Sequence, residues 1–337
     1  MASRCPGALQ WAHVAAFALA ITMNALSTAG QASVPWLYPK SNSQITAERP
    51  TAFTPAGFAF SIWGLIYLFG AAFIIFQALP KNADWTRRTI GPWMIINLVS
   101  NAAWLPVFQN EVGFNEVSRL WPSVAVIAGG ILLPLCVLHV KLHRPAKFEA
   151  ASWGEYVCLY PFVSVYMGWV TVATVANVCL ALTPPLTVVD DLAGWSADRW
   201  SVTLMCVAAL LAAVTLATTR GRDFWYPLPI AWALAAIGVR QRSPDYPGGP
   251  MVVQAAFTLS ALVGAMALVA AVRQAVLVRR RVAAKRAGQK QGGPAGEWAA
   301  PAGPAVVVGN PAAFAAPAGS AATYAAAGAQ PPASSWN

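Results

Sequence analysis

Three stretches of the sequence set an indole beside an amide or a phenol at helical spacing, in surroundings free of charge. Phe60, Trp63, Tyr67 and Gly70 fall at i, i+3, i+7 and i+10, and Asn97, Asn101, Trp104 and Phe108 at i, i+4, i+7 and i+11. Trp169, Ala173 and Asn177 follow at steps of four. Each set occupies one face of a helix. Indole and phenol rings offer flat apolar faces, and their N–H and O–H groups want partners when buried. Amides between apolar helices are ordinary packing glue, contributing about 0.6–2 kcal/mol per bond. Three such stripes in one chain point further, to an aromatic cavity with a few hydrogen-bonding groups. Apolar ligands with polar handles are usually held that way.

Other chemistries find less material. No acid/base pair lies inside an apolar stretch, so the reading leans away from an enzyme. His139 and His143, at i and i+4, could ligate heme iron or another metal from one helix face. Lys141 and Arg144 beside them instead place the pair at the level of lipid headgroups, and no metal ligands are assigned. Proton- or ion-coupled transport usually needs ionisable groups at mid-membrane, where His13 is the only candidate. Passive carriage of an apolar molecule stays open. So does a purely structural role in which the indoles only pack helices. A retinal receptor is disfavoured, because the last three apolar runs contain no Lys for a Schiff base. The five cysteines lie apart without metal-ligand spacing and read as small apolar side chains.

The elements that must position these residues are membrane helices. Of 337 residues 57% are hydrophobic and 10% charged, where soluble domains carry about 25% charge. Eight apolar runs can be traced: Leu9–Ala29, Phe53–Leu79, Ile90–Asn110, Leu120–Val140, Tyr156–Leu182, Trp200–Thr219, Phe224–Val239 and Met251–Val272. Roughly 20 residues cross the hydrocarbon, and the seventh run has only 16. With eight spans, 16 Lys and Arg collect on one side and 6 on the other; without the seventh the bias vanishes. The expectation is therefore an all-α, multi-pass integral membrane protein of eight spans, with both termini on the positive side. Residues 1–182 would form a five-helix bundle, 183–275 three further spans, and 276–337 a basic juxtamembrane segment and a disordered Ala/Pro/Gly-rich tail. The first run exceeds the usual signal-peptide core of about 7–15 residues and is read as a retained helix.

The net charge of +10 is no nucleic-acid signal, because seven of the 22 basic residues lie between Arg273 and Lys290, just after the last run. That segment is expected to rest on anionic lipid headgroups. Eight of the 15 tryptophans lie near span ends as an aromatic belt. Trp63, Trp104, Trp169 and Trp232 do not, and their indoles should point into the bundle.

The stretch Pro55-Ala-Gly-Phe-Ala-Phe60-Ser-Ile-Trp63-Gly-Leu-Ile-Tyr67-Leu-Phe-Gly70 resembles the second-helix signature of the translocator/tryptophan-rich sensory protein (TspO) family. Asn101-Ala-Ala-Trp104-Leu-Pro-Val-Phe108 is similar to its third-helix Asn-x-x-Trp motif. Pro161-Phe162 followed by Trp169, Ala173 and Asn177 is similar to its fifth-helix motif. The resemblance covers about Leu9 to Leu182, and spans six to eight have no counterpart in the five-helix fold. It implies a five-helix bundle whose cavity binds porphyrin or heme and, in some members, sterols. No cofactor is required, and porphyrin degradation is the enzymatic alternative. By the same resemblance, Trp63, Tyr67, Asn101, Trp104, Trp169, Ala173 and Asn177 would hold the ligand. Rings would stack on a macrocycle, amides would meet its polar edge, and Ala173 would leave space. Trp36 would belong to a lid, and assembly would be a homodimer.

Overall fold

The computed structural model describes residues 7–111, 120–144, 147–148, 151–182, 195–246 and 248–291. Among them there are helices and no strand. In chain order these are α1 (Ala8–Ser33), α2 (Asn42–Glu48), α3 (Ile62–Ala78), α4 (Trp93–Gln109), α5 (Trp121–His143), α6 (Trp153–Leu182), α7 (Ala197–Thr218), α8 (Pro227–Arg240) and α9 (Pro250–Gln291). Each apolar run of the sequence carries one of the eight longer helices. The chain from Met1 to Lys285 forms one compact unit. A second unit, Arg286–Asn337, is described only through Gln291, so the expected tail lies outside the described residues.

Local chemistry sets the helix ends. Ser41 caps α2 in a reciprocal box, its Oγ accepting from the Gln44 amide at 3.2 Å while Gln44 Oε1 accepts from the Ser41 amide at 2.7 Å. A 3-10 turn, Gly57–Ser61, leads into α3, so Phe60 sits on that turn and Trp63 in the first helical turn. Before α4 runs a short helical segment, Pro80–Ile90, bent from it by 80°. The bend falls at Gly91 in the left-handed region (φ 59°), followed by Pro92, whose fixed φ starts the new helix. Inside α5 the chain widens into a π turn, Val126–Leu132, just before Pro134, which has no N–H to give back to the preceding turn.

Among the described residues six helices are long and apolar enough to cross a membrane: α1, α3 with its 3-10 turn, α5, α6, α7 and α9. The bent pair Pro80–Ile90 and α4 makes a seventh if counted as one span. The 14 residues of α8 rise only about 21 Å and fall short of that length. Helix α6 is the axis of the bundle, with 61% of its apolar window buried against 22–44% in the other candidate spans. It packs on α3, α5 and α8, and α1 packs along α4. Large apolar side chains such as Leu68, Ile75, Leu210 and Leu268 face outward, as lipid-facing side chains do.

Small residues decide how close the helices come. A Cβ on Gly70 would meet the Phe17 ring at 2.6 Å and Phe162 at 3.1 Å, so glycine lets α1 and α6 close on α3. At Gly168 of α6 a Cβ would strike the Tyr226 carbonyl oxygen and approach the Pro229 ring at 3.3 Å. A carbonyl in the backbone cannot swing away as a side chain can. Gly168→Ala is therefore expected to destabilise the folded protein by about 1–3 kcal/mol, read as an earlier thermal loss of helical circular dichroism in detergent. An unchanged melt would mean that α8 does not seat against α6.

Candidate functional site

Helices α3, α4, α5 and α6 border an inner chamber with a cavity of about 60 Å³, or about 760 Å³ when its open side is included. Phe60 and Trp63 come from the start of α3, Trp104 and Phe108 from α4, Ile127 and Ile131 from α5, and Trp169, Ala173 and Asn177 from α6. Its roof is the loop before α3, with Thr51, Thr54 and Pro55, and α2, with Asn42 and Thr46. Among the described residues no charged side chain lines it. A wider and more polar outer chamber, about 1690 Å³ including its open mouth, shares Asn42, Thr46, Thr54, Pro55, Phe60, Trp63 and Trp104. It adds Asn24 and Thr28 from α1, Tyr67 from α3, Gln109 from α4 and Arg240 from α8.

The rings brace one another. Trp63 stacks on Tyr67 with centroids 5.6 Å apart and meets Tyr166 edge-on at 5.6 Å. Phe60 meets Trp169 edge-on at 5.7 Å, and Trp104 stacks on Phe108 at 5.3 Å. On the aromatic side chains of these walls, two polar atoms are buried without a partner, Trp104 Nε1 and Tyr67 Oη. A buried donor left unpaired costs free energy, so a ligand acceptor beside either atom would recover it.

Six of the seven residues expected from the sequence line one or both chambers: Trp63, Tyr67, Trp104, Trp169, Ala173 and Asn177. Asn101 lines neither. Its Nδ2 donates to Tyr166 Oη at 2.7 Å, and its Oδ1 accepts from Asn24 Nδ2 at 2.8 Å, so the amide ties α4 to α6 and α1 behind the wall. Asn177 is also occupied, donating to the Ala173 carbonyl at 2.9 Å and accepting from Ser123 Oγ at 3.3 Å. Trp36 is 78% exposed in the first loop.

That loop is held shut by charge. Lys40 Nζ lies 2.7 Å from Glu48 and 2.6 Å from Glu111, and Arg49 reaches Glu111 at 3.4 Å. Burial works against the Lys40 ammonium, but its hydrogen bonds to Glu111 and Glu48 outweigh that and hold its pKa above the ordinary value. Gln109 adds a neutral latch, donating to Asn42 Oδ1 at 2.9 Å and Ser27 Oγ at 2.8 Å.

The family model for TSPO-like proteins matches residues 10–269. The chain belongs to the TSPO-like protein family. The match runs from the first turn of α1 into α9, so in this TSPO-like chain it takes in α7 and α8 beyond the stretch that carries the sequence motifs. With its apolar helices, the membership makes the chain a multi-pass integral membrane protein. Comparison with curated proteins and with solved structures returned no match.

Four residues of this TSPO-like site escaped the sequence reading. Tyr166 stands three residues before Trp169 on the same α6 face, so extending that stripe by one step would have found it. Asn24 and Gln109 are single amides whose partners depend on how α1 and α4 align. Arg240 reaches the mouth from the end of α8, which docks on the roof. Trp232 Nε1 donates to the Ala59 carbonyl at 3.0 Å, and Gln241 Nε2 donates to the carbonyls of Thr51 at 3.1 Å and Thr54 at 3.2 Å.

Proposed function

We propose that the chain is a membrane receptor that holds a planar, largely apolar, tetrapyrrole-like ligand in the outer chamber, against the aromatic inner chamber that adjoins it. One observation carries this reading. Three indoles converge on an uncharged inner space that opens onto the outer chamber, and Trp104 Nε1, which borders both, and Tyr67 Oη, in the outer wall, stand unpartnered. The inner cavity itself is small, about 60 Å³, whereas the outer chamber's cavity of about 740 Å³ lies within the roughly 300–1,000 Å³ usual for ligand sites. Trp63 and Trp169 supply ring faces, Ala173 supplies room, and Asn101 acts by holding Tyr166 behind Trp63. The lining supplies ring faces and amides, which is the chemistry of binding. A sterol would fill the same walls but would not use the outer cation.

Eight crossings with both termini on the positive side accompany this reading. The 80° bend before α4 and the short α8 then count as spans that pack inside the bundle rather than standing alone in lipid.

The test is a titration of the detergent-purified protein with protoporphyrin IX and with its dimethyl ester, followed by tryptophan quenching and porphyrin absorbance. Saturable one-site binding, weakened in a folded Trp63→Ala variant, is expected. Arg240 is half-buried at the mouth, with its guanidinium 4.1 Å over the Tyr246 ring. Arg240→Ala should weaken the free acid roughly fivefold and leave the ester unchanged, since a charge pair at an open mouth is worth about 1 kcal/mol. Non-saturable partitioning, equal in all variants, would refute the tetrapyrrole reading.

A further inference from the structure

His139 and His143, expected near the headgroup level beside Lys141 and Arg144, are not open to their surroundings. Both imidazoles are buried, at 8% and 9% exposure, because the turn between α7 and α8 folds over them. That turn passes through two consecutive left-handed residues, Arg220 (φ 56°) and Gly221 (φ 69°), and delivers Asp223, itself 1% exposed. Asp223 Oδ2 lies 2.7 Å from His139 Nε2 and 3.8 Å from His143 Nε2. Its other oxygen, Oδ1, accepts from the backbone amides of Trp225 at 3.1 Å and Tyr226 at 3.2 Å. The carboxylate is therefore fixed in orientation, with one oxygen presented to the two rings.

We propose that His139 Nε2, His143 Nε2 and Asp223 Oδ2 form a binding site for a divalent transition cation of the Zn²⁺ class, which clamps the α7–α8 turn to the end of α5. The three donor atoms lie within 4.8 Å of one another. Ligands about 2.0–2.1 Å from a tetrahedral Zn²⁺ stand about 3.3 Å apart, and the measured 2.7 and 3.8 Å bracket that separation. Two imidazoles and one carboxylate suit borderline divalent metals and leave a fourth position for water. The surrounding contacts already orient the ligands. His143 Nδ1 lies 3.0 Å from the His139 carbonyl oxygen, so the proton sits on Nδ1 and Nε2 keeps its lone pair. The rings stack with centroids 4.2 Å apart, and Phe148 and Tyr160 wall the His143 ring. Without metal, His139 Nε2 and Asp223 Oδ2 share a hydrogen bond; a metal at that nitrogen takes the tautomer with the proton on Nδ1.

The site is separate from the ligand chambers. Ile131 lines the inner chamber, and His139 lies eight residues further along α5, about 12 Å along the axis. The link between them is mechanical, because the clamped turn leads into α8, whose Trp232 and Arg240 hold the roof and border the mouth.

The experiment uses the full-length protein in detergent, stripped with chelator, dialysed against Zn²⁺ and passed over a desalting column before metal analysis. Co²⁺ substitution reports coordination geometry through its visible absorption. One Zn²⁺ per chain, a Co²⁺ spectrum of four-coordinate type and a melting temperature raised by the metal are expected in wild type. Asp223→Asn keeps the acceptor for the two backbone amides, and His143→Gln keeps a donor toward His139. Either should lower Zn²⁺ affinity by at least about tenfold and abolish the shift in melting. Substoichiometric zinc in wild type, or equal uptake by both folded variants, would overturn the site and leave a plain His–Asp hydrogen bond. If Asp223→Asn does not fold, His143→Gln decides alone.

Discussion

Trp169→Ala is expected to weaken binding of protoporphyrin IX by roughly 30-fold while costing about 3 kcal/mol of folding stability. The two effects have different origins. Trp169 is 3% exposed at the centre of α6, wedged edge-on against Phe60, and truncating an indole in such a place usually costs about 3–5 kcal/mol. One face borders the chamber rather than protein, so the lower end applies. The affinity loss of about 2 kcal/mol reflects removal of a rigid aromatic surface that a planar ligand covers. Trp169→Phe separates the terms, because it restores an aromatic face while leaving a smaller void. It should recover most of the affinity and about half of the stability. Porphyrin titration and a helical melt, run on all three proteins, measure both. Affinity that tracks stability alone, with Phe no better for binding than its melt predicts, would make Trp169 a packing residue.

What could be read in advance followed from periodicity, and what could not depended on contact between distant segments. The stripes through Trp63, Trp104 and Trp169 are properties of single helices, and spacing alone puts each set on one face. Asn101 shows the limit. Its place in the stripe was legible, but the acceptor it meets, Tyr166 Oη, is set by the register of α4 against α6, which no local pattern records. The same applies to His139 and His143, whose burial is decided by a turn about 80 residues later in the chain. Hydropathy located all eight apolar runs, yet it cannot tell a helix that crosses lipid from one that packs short against α6. Helix α8 is the case in point: the apolar run continues back to Phe224, whereas the helix begins at Pro227 because Asp223 binds the preceding amides. Extent of relationship behaved similarly. Local motifs ended near Leu182, while the family match continues to residue 269.

Glu111→Ala is expected to destabilise the protein by about 3 kcal/mol and to speed ligand release by loosening the first loop. Glu111 receives both Lys40 and Arg49, and Arg49 is 1% exposed, among the largest fully buried side chains. Removing one partner of a buried ion pair costs about 3–5 kcal/mol, because the remaining charge loses compensation without regaining water. Arg49 keeps further contacts that hold the cost toward the low end. Lys40 keeps Glu48 and is a third exposed, so its share of the loss is small and the lower bound applies. Glu111 also holds a left-handed backbone (φ 46°), a strain of the kind that persists only where surrounding contacts enforce it. Because α2 hangs from this cluster and its Asn42 and Thr46 border both chambers, a loosened loop opens the roof over the ligand. Salt provides the discriminating control. Raising ionic strength screens the exposed Lys40–Glu48 pair and should reproduce Lys40→Ala, but it should not reproduce Glu111→Ala, whose main partner is shielded from ions. Amide exchange across residues 34–56 and the porphyrin dissociation rate report the two consequences separately. Faster exchange without faster release would mean that the loop is held by this cluster but does not gate the chamber; release that accelerates with the exchange identifies it as the gate.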